Sequence, residues 1–196
     1  MKHSFSSISP SSSLGYFEIL VELDKQDESS SYSRFVKSLD ELALGDELAF
    51  KGGSYRLNYE GKDDPIQSMT VIASGLGIAS SLQIIPGALG DPDTTVEDIE
   101  LLWVNNDQLD FICEKDISSF ERKYNPKLFV SKVSEPGLFE DGVDFTTHDK
   151  ILGSLSAYSV GRIAVICGPK SVTEKFSRFL GDVGYPNDNI LCIETD

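Results

Sequence analysis

Gly75-Leu-Gly-Ile-Ala-Ser80 follows the apolar, β-branched run Met69–Ala73 and leads into an apolar stretch that continues to Ile85. A buried strand that turns through glycines into a helix exposes backbone N–H groups at the helix start. Together with the helix dipole these favour a phosphate. Gly75 and Gly77 permit the tight turn and the close approach of a ligand, although strand–helix turns without a ligand also use glycines. A second run, Arg162-Ile-Ala-Val-Ile-Cys-Gly-Pro169, places Cys167 at the carboxyl end of a strand, followed by Gly168, Pro169, Lys170 and Ser171. Open parallel sheets bind ligands at that edge, and a strand-ending turn over a buried thiol is the structural alternative. In Val104-Asn-Asn-Asp-Gln-Leu-Asp110, Asn105 and Asp110 stand directly after a strand, where they could hydrogen-bond the hydroxyls of an adenosine ribose or simply form a solvated loop.

The elements that would position these residues alternate. Strands are predicted over Thr70–Ala73, Ile99–Val104, Lys127–Val133, Ile163–Cys167 and Ile190–Ile193. Helices are predicted over 79–89, about 110–123, about 148–156 and 171–183. Such βαβ alternation implies a parallel α/β sheet covered on both faces. Pro86-Gly87 is expected to interrupt the first of these helices, since an interior proline costs about 3 kcal/mol or more. Upstream the pattern differs. Tyr16–Leu23 reads as a strand, 33–42 as a helix, and 47–51 with 55–59 as a hairpin through Gly52-Gly53. The charged stretch Glu60–Pro65 marks a boundary, giving an antiparallel part over 1–63 and the α/β part over 64–196.

In that order and spacing, Gly75-Leu-Gly-Ile78, Leu101-Leu-Trp-Val-Asn105 and Ile166-Cys-Gly-Pro169 resemble the ferredoxin–NADP reductase superfamily, in its cytochrome b5 reductase and nitrate reductase flavin-domain branch. Gly15-Tyr-Phe-Glu-Ile-Leu-Val-Glu22, Leu44-Gly-Asp46 and Phe50-Lys-Gly-Gly53 through Gly61 are similar to the second half of that family's flavin-binding β-barrel. The resemblance implies NAD(P)H across Gly75, Gly77, Ile78, Asn105, Asp110, Gly168 and Pro169, with Cys167 near the nicotinamide as the catalytic-site thiol. It implies FAD at Phe5 and Ser6, which match the aromatic and the hydroxyl of the family's Arg-x-Tyr-Ser/Thr motif.

Several positions depart from the family. His3 replaces the motif's arginine and Phe5 its tyrosine, so a bidentate phosphate contact is lost. Ala79-Ser80 replaces Thr-Pro, Lys170 replaces a proline, and Asn189–Asp196 carries no aromatic residue. These departures all fall around the flavin and oppose the FAD assignment. The family's preceding barrel strands have no counterpart, leaving an incomplete barrel with an open edge. Two function classes follow. One is an NAD(P)H-dependent flavoprotein reductase passing electrons to a redox protein acceptor. The other is a catalytically degenerate subunit of a larger assembly that covers the barrel edge.

Composition narrows the partners. With 32 acidic and 17 basic residues the formal net charge is −15, which disfavours nucleic acid, anionic membranes and acidic redox proteins. Arg34, Lys37, Lys51 and Arg56 could form a local basic patch or be scattered solubilising charges. No apolar run is long enough to span a bilayer. Cys113, Cys167 and Cys192 share no Cys-x-x-Cys spacing, nor metal-ligand spacing with His3 or His148, so neither a metal site nor a disulfide scaffold is expected. Free thiols suit an intracellular, reducing compartment. Seven serines among the first thirteen residues, with no acid, suit either an organellar (plastid or mitochondrial) leader or a flexible tail.

Overall fold

The computed structural model describes residues 6–9, 14–22, 31–49, 65–140 and 142–195. Five parallel strands form one sheet: β1 (Ser68–Ala73), β2 (Asp98–Asn105), β3 (Leu128–Ser134), β4 (Arg162–Gly168) and β5 (Ile190–Glu194). Their order is β3-β2-β1-β4-β5. The helices are α1 (Ser31–Asp40), α2 (Ile78–Leu89), α3 (Glu114–Tyr124), α4 (Asp149–Leu152) and α5 (Lys170–Asp182). The α/β sheet expected for residues 64–196 is therefore present, with its five strands near their predicted bounds.

The register explains why the strands are apolar nearly throughout. Val71 pairs with Leu101 on one side and Val165 on the other. Odd-numbered residues of the central strands (Val71, Ala73, Leu101, Trp103, Val165, Cys167) enter one buried cluster with Ile78, Leu82 and Ile85 of α2 and Ile117 of α3. Even-numbered residues (Ile72, Leu102, Val104, Ala164, Ile166) enter the other, with Val172, Phe176, Phe179 and Leu180 of α5. Right-handed crossovers place the helices of the β1–β2–β3 run on one face and those after β3 on the other. The order reverses between β1 and β4, and that switch point is where open α/β sheets take ligands.

At the amino ends of the strands a polar network ties three of them together. The buried Arg162 donates from Nη1 to Glu100 Oε2 (2.9 Å) and Thr70 Oγ1 (3.2 Å), and from Nη2 to Asp98 Oδ1 (3.4 Å). Ser156 N–H donates to the same Glu100 carboxylate (3.1 Å), and Tyr185 Oη–H to Ser156 O (3.1 Å). A buried guanidinium is tolerable only when so paired. The network lies at the edge opposite the candidate site, so its role is structural.

Three helix predictions are corrected. α2 runs unbroken through Pro86, which sits in its last turn, so a single backbone bond is lost there and Gly90 N–H still reaches Pro86 O (2.9 Å). α3 begins at Glu114 because Asp107 caps a separate 3-10 turn, Gln108–Asp110, and Cys113 adopts a left-handed conformation (φ 62°) before it. The predicted helix over 148–156 shrinks to α4, since Gly153 ends it and Ser156 is drawn to Glu100.

Of the antiparallel part, the described residues show α1, near its predicted place, and one antiparallel bridge, Ser7 to Ile19. Tyr16–Glu22 is not a continuous strand; Tyr16 and Phe17 are exposed, and beside the Ile19 bridge the Glu18 carbonyl accepts Ile8 N–H (2.8 Å). Residues 46–49 carry no regular structure and are exposed. The hairpin through Gly52-Gly53, Lys51, Arg56 and the boundary at 63/64 lie outside the described residues.

Gly77 joins the two halves of the sheet. A Cβ there would stand 2.0 Å from the Cys167 carbonyl oxygen and 2.7 Å from Gly168 N. Gly77→Ala is expected to cost about 3 kcal/mol by overpacking, read as a lower urea midpoint. Gly75→Ala meets no atom within 4 Å and should cost only the left-handed strain, about 1 kcal/mol. Equal midpoint shifts for the two would contradict this packing.

Candidate functional site

The turn after β1 is a single 3-10 turn, Gly75–Gly77, that runs into α2. Gly75 adopts φ +53°, which accounts for glycine at that position. Ser74, 4 % exposed, stitches the turn to β4: its N–H donates to Cys167 O (3.0 Å), and its carbonyl accepts from Gly77 N–H (2.9 Å). Gly168 Cα lies so close that an added Cβ would meet Ser74 O at 3.3 Å. Gly77 and Gly168 thus serve contact between the two strand ends. The expectation that Gly77 makes room for a ligand is corrected, because its missing Cβ is required by the backbone of β4. Gly75, with its Cβ direction open, is the turn residue that a ligand can approach.

Asn105 ends β2 beside this turn and is 2 % exposed. Its Oδ1 accepts the Gly75 N–H (2.9 Å) and lies 3.5 Å from Ser74 Oγ. Its Nδ2 has no hydrogen-bond partner among the described residues. The structure therefore brings Asn105, Gly75, Gly77, Cys167 and Gly168 to one place, the switch point. Pro169 precedes α5 as its cap, and Ile78 is buried in the core beneath the turn. Asp110 ends the exposed 3-10 turn 108–110, whose Asp107 carboxylate accepts Leu109 N–H (2.9 Å). Both carboxylates are solvent-facing at the carboxyl edge of β2.

Cys167 is 0 % exposed and belongs to the core under α2. Burial pushes its thiol up to about 12, with a Ser81 hydroxyl pulling weakly the other way. At neutral pH it is a packed, un-ionised group whose carbonyl anchors the turn, and the thiol reaches no surface.

On the flavin side, Phe5 lies outside the described residues. Ser6 Oγ and Ser80 Oγ share a hydrogen bond (2.9 Å), and Gln83 Nε2 donates to Ser9 O (2.6 Å). Ser80, where the resembled family has proline, thus has a partner in the segment that the resemblance matches to that family's flavin motif. Sequence reasoning missed Ser74, Ser80 and Gln83 in this role, because each acts through contacts that its neighbours in sequence do not signal. It also missed the stack at the end of β2. Phe111 meets Trp103 edge-on (4.9 Å), and Lys132 Nζ lies 5.1 Å from the Trp103 centroid while pairing with Glu114 (2.5 Å).

The residues fit a nicotinamide dinucleotide: an approachable glycine turn and, beside it, a buried amide donor with no partner among the described residues. For FAD the described residues offer Ser6, whose hydroxyl is already bonded to Ser80. No cluster among the described residues could hold a metal ion, and no described helix is long and apolar enough to cross a membrane.

The comparisons with known proteins agree with this fold. NADH-cytochrome b5 reductase 1 of Dictyostelium discoideum is 25 % identical over 188 residues, covering 95 % of this chain and 63 % of the relative. The cytochrome b5 reductase domain of Ulva prolifera nitrate reductase superposes with TM-score 0.69 at 20 % identity, over 90 % of this chain and 73 % of that one. A mutant ferredoxin-NADP+ reductase from Plasmodium falciparum gives 0.68 at 15 % identity, over 98 % and 76 %. The chain spans about three fifths of the length of the curated relatives it matches. No family profile matches. The resemblance to the ferredoxin–NADP reductase superfamily, on its cytochrome b5 reductase branch, is borne out.

Because the unfolded thiol ionises near 9.0 and the buried one near 12, the unfolded state binds fewer protons between those values. Stability should therefore fall as pH rises from about 9 to 12, and Cys167→Ala should flatten that slope in urea titrations. A thiol reagent at pH 8 should reach the exposed Cys192 in the native protein and Cys167 only after unfolding. Rapid native labelling of Cys167 would contradict its burial.

Proposed function

We propose, for a chain whose sequence and fold both resemble the cytochrome b5 reductase branch of the ferredoxin–NADP reductase superfamily, that it is an NAD(P)H-dependent flavoprotein electron-transfer reductase. The observation that carries this is the switch point itself, where the open Gly75 and the unsatisfied Asn105 amide adjoin the carboxyl ends of β1 and β2. The dinucleotide would lie across Gly75, Asn105 and Gly168. The flavin, when bound, supplies the step from two-electron hydride chemistry to one-electron transfer. The chain's own part is to hold the dinucleotide and to fix Ser6 against α2. Cys167 contributes a rigid, water-free floor and need not ionise.

The acceptor is a redox protein, and a net charge of −15 favours one that is not itself acidic. A catalytically degenerate subunit of a larger assembly is the alternative role, supported by the Ser6 hydroxyl being engaged by Ser80. The two are separated by an absorption spectrum of the purified protein and by its oxidation of NADH with a one-electron acceptor. Yellow protein with NADH turnover is expected; colourless protein that neither binds nor oxidises either nucleotide would refute the reductase.

NADH is the expected donor. The Asp107 and Asp110 carboxylates stand at the ribose end and would repel a 2′-phosphate. The cations nearby are committed elsewhere, Lys132 to Glu114 and Lys170 to Glu174 (3.7 Å). Asp110→Lys should shift the NADH:NADPH ratio of kcat/KM toward NADPH by roughly tenfold, about the worth of one charge contact near a surface. An unchanged ratio would remove Asp110 from the ribose end.

A further inference from the structure

The glycine turn has few backbone donors left to offer. Gly75 N–H is spent on Asn105 Oδ1 and Gly77 N–H on Ser74 O. A helix start whose donors are used internally is a poor anion site. The amide that absorbs the Gly75 donor nevertheless carries two N–H groups of its own. Its orientation is fixed, because Gly75 N–H needs an oxygen opposite it, so Nδ2 must be the other arm. That arm is buried, lacks a partner among the described residues, and lies beside the turn, since both arms share one carbon. An unsatisfied buried amide is costly and calls for an explanation.

We propose that Asn105 is a relay: its Oδ1 takes up the Gly75 N–H and locks the turn, and its Nδ2 presents the replacement donor to a diphosphate oxygen of the bound dinucleotide. The relay rests on the reading that the chain binds a nicotinamide dinucleotide, and it differs from the earlier expectation that Asn105 meets ribose hydroxyls. A diphosphate oxygen can only accept, so it matches an amide donor.

Asn105→Asp separates the two arms. It keeps an oxygen for Gly75 N–H and loses the donor. Asn105→Ala removes both, and Asn106→Asp adds the same charge one residue away on the exposed side. Binding of ADP-ribose and of adenosine to the full chain is measured by calorimetry, and amide exchange at Gly75 by mass spectrometry. Asn105→Asp should weaken ADP-ribose about tenfold or more, leave adenosine within twofold, and keep Gly75 exchange at the wild-type rate. Asn105→Ala should weaken ADP-ribose and also speed Gly75 exchange. Asn106→Asp should do neither. The relay is overturned if Asn105→Asp binds ADP-ribose as tightly as wild type, if Asn106→Asp weakens it equally, if the loss falls on adenosine alone, or if wild type takes up no ADP-ribose. Failure of the reductase reading looks different: ADP-ribose binds with the expected Asn105 dependence while NADH is not oxidised.

Discussion

The contact between the turn after β1 and the end of β4 sets the geometry of everything around it. Gly77 rests on the Cys167 carbonyl at a distance that no side chain could share, and Ser74 donates its N–H to that same carbonyl. The chain reverses its direction of strand addition at this seam, so two loops leave the sheet in opposite directions and a crevice opens between them. Closing the seam backbone to backbone fixes where α2 begins. It also brings the Gly75 amide within reach of Asn105 on the neighbouring strand. Cys167 is buried in the core beneath it, so no ionised thiol lies under the turn.

Around the seam the fold separates stability from chemistry by position along the strands. Charged and hydroxyl side chains at the amino ends, centred on Arg162, pair among themselves and pin β1, β2 and β4 together. At the carboxyl ends the polar groups are fewer and less satisfied, and Asn105 is the clearest case. The Arg162 guanidinium meets three side chains through Nη1 and Nη2 while its Nε has no partner among the described residues, so the contrast lies in the cross-strand pairing and not in complete satisfaction. The Ser6 segment follows a third pattern: Ser80, where the resembled family has proline, has a hydrogen bond to Ser6, so a substitution that reads as a loss in sequence is a contact in space.

Much of the sheet was legible because its strands are buried on both faces. Runs such as Val71-Ile72-Ala73 and Ala164-Val165-Ile166 leave no polar alternation to confuse with a surface strand. The glycine turns were legible for the same reason, as interruptions in such runs. Helix limits were not. The start of α3 depends on Asp107 capping a 3-10 turn and on the left-handed Cys113, and the end of α4 on Ser156 being drawn to Glu100 across the sheet. Both are outcomes of competition between local propensity and distant partners.

By itself the sequence determined the α/β class, the strand positions and the family resemblance, since these rest on local composition and on residues that follow one another directly. The tertiary structure alone decided what each glycine of the turn after β1 is for. It assigned Gly77 to the β4 backbone and left Gly75 open, because only folding shows which atom stands where a Cβ would be. It also decided that Asn105 faces the turn with one arm and has a donor to spare with the other. Those two residues are 30 apart in the chain and are brought together only by strand pairing. Hydrogen-bond satisfaction is a property of that neighbourhood, and no spacing along the chain encodes it.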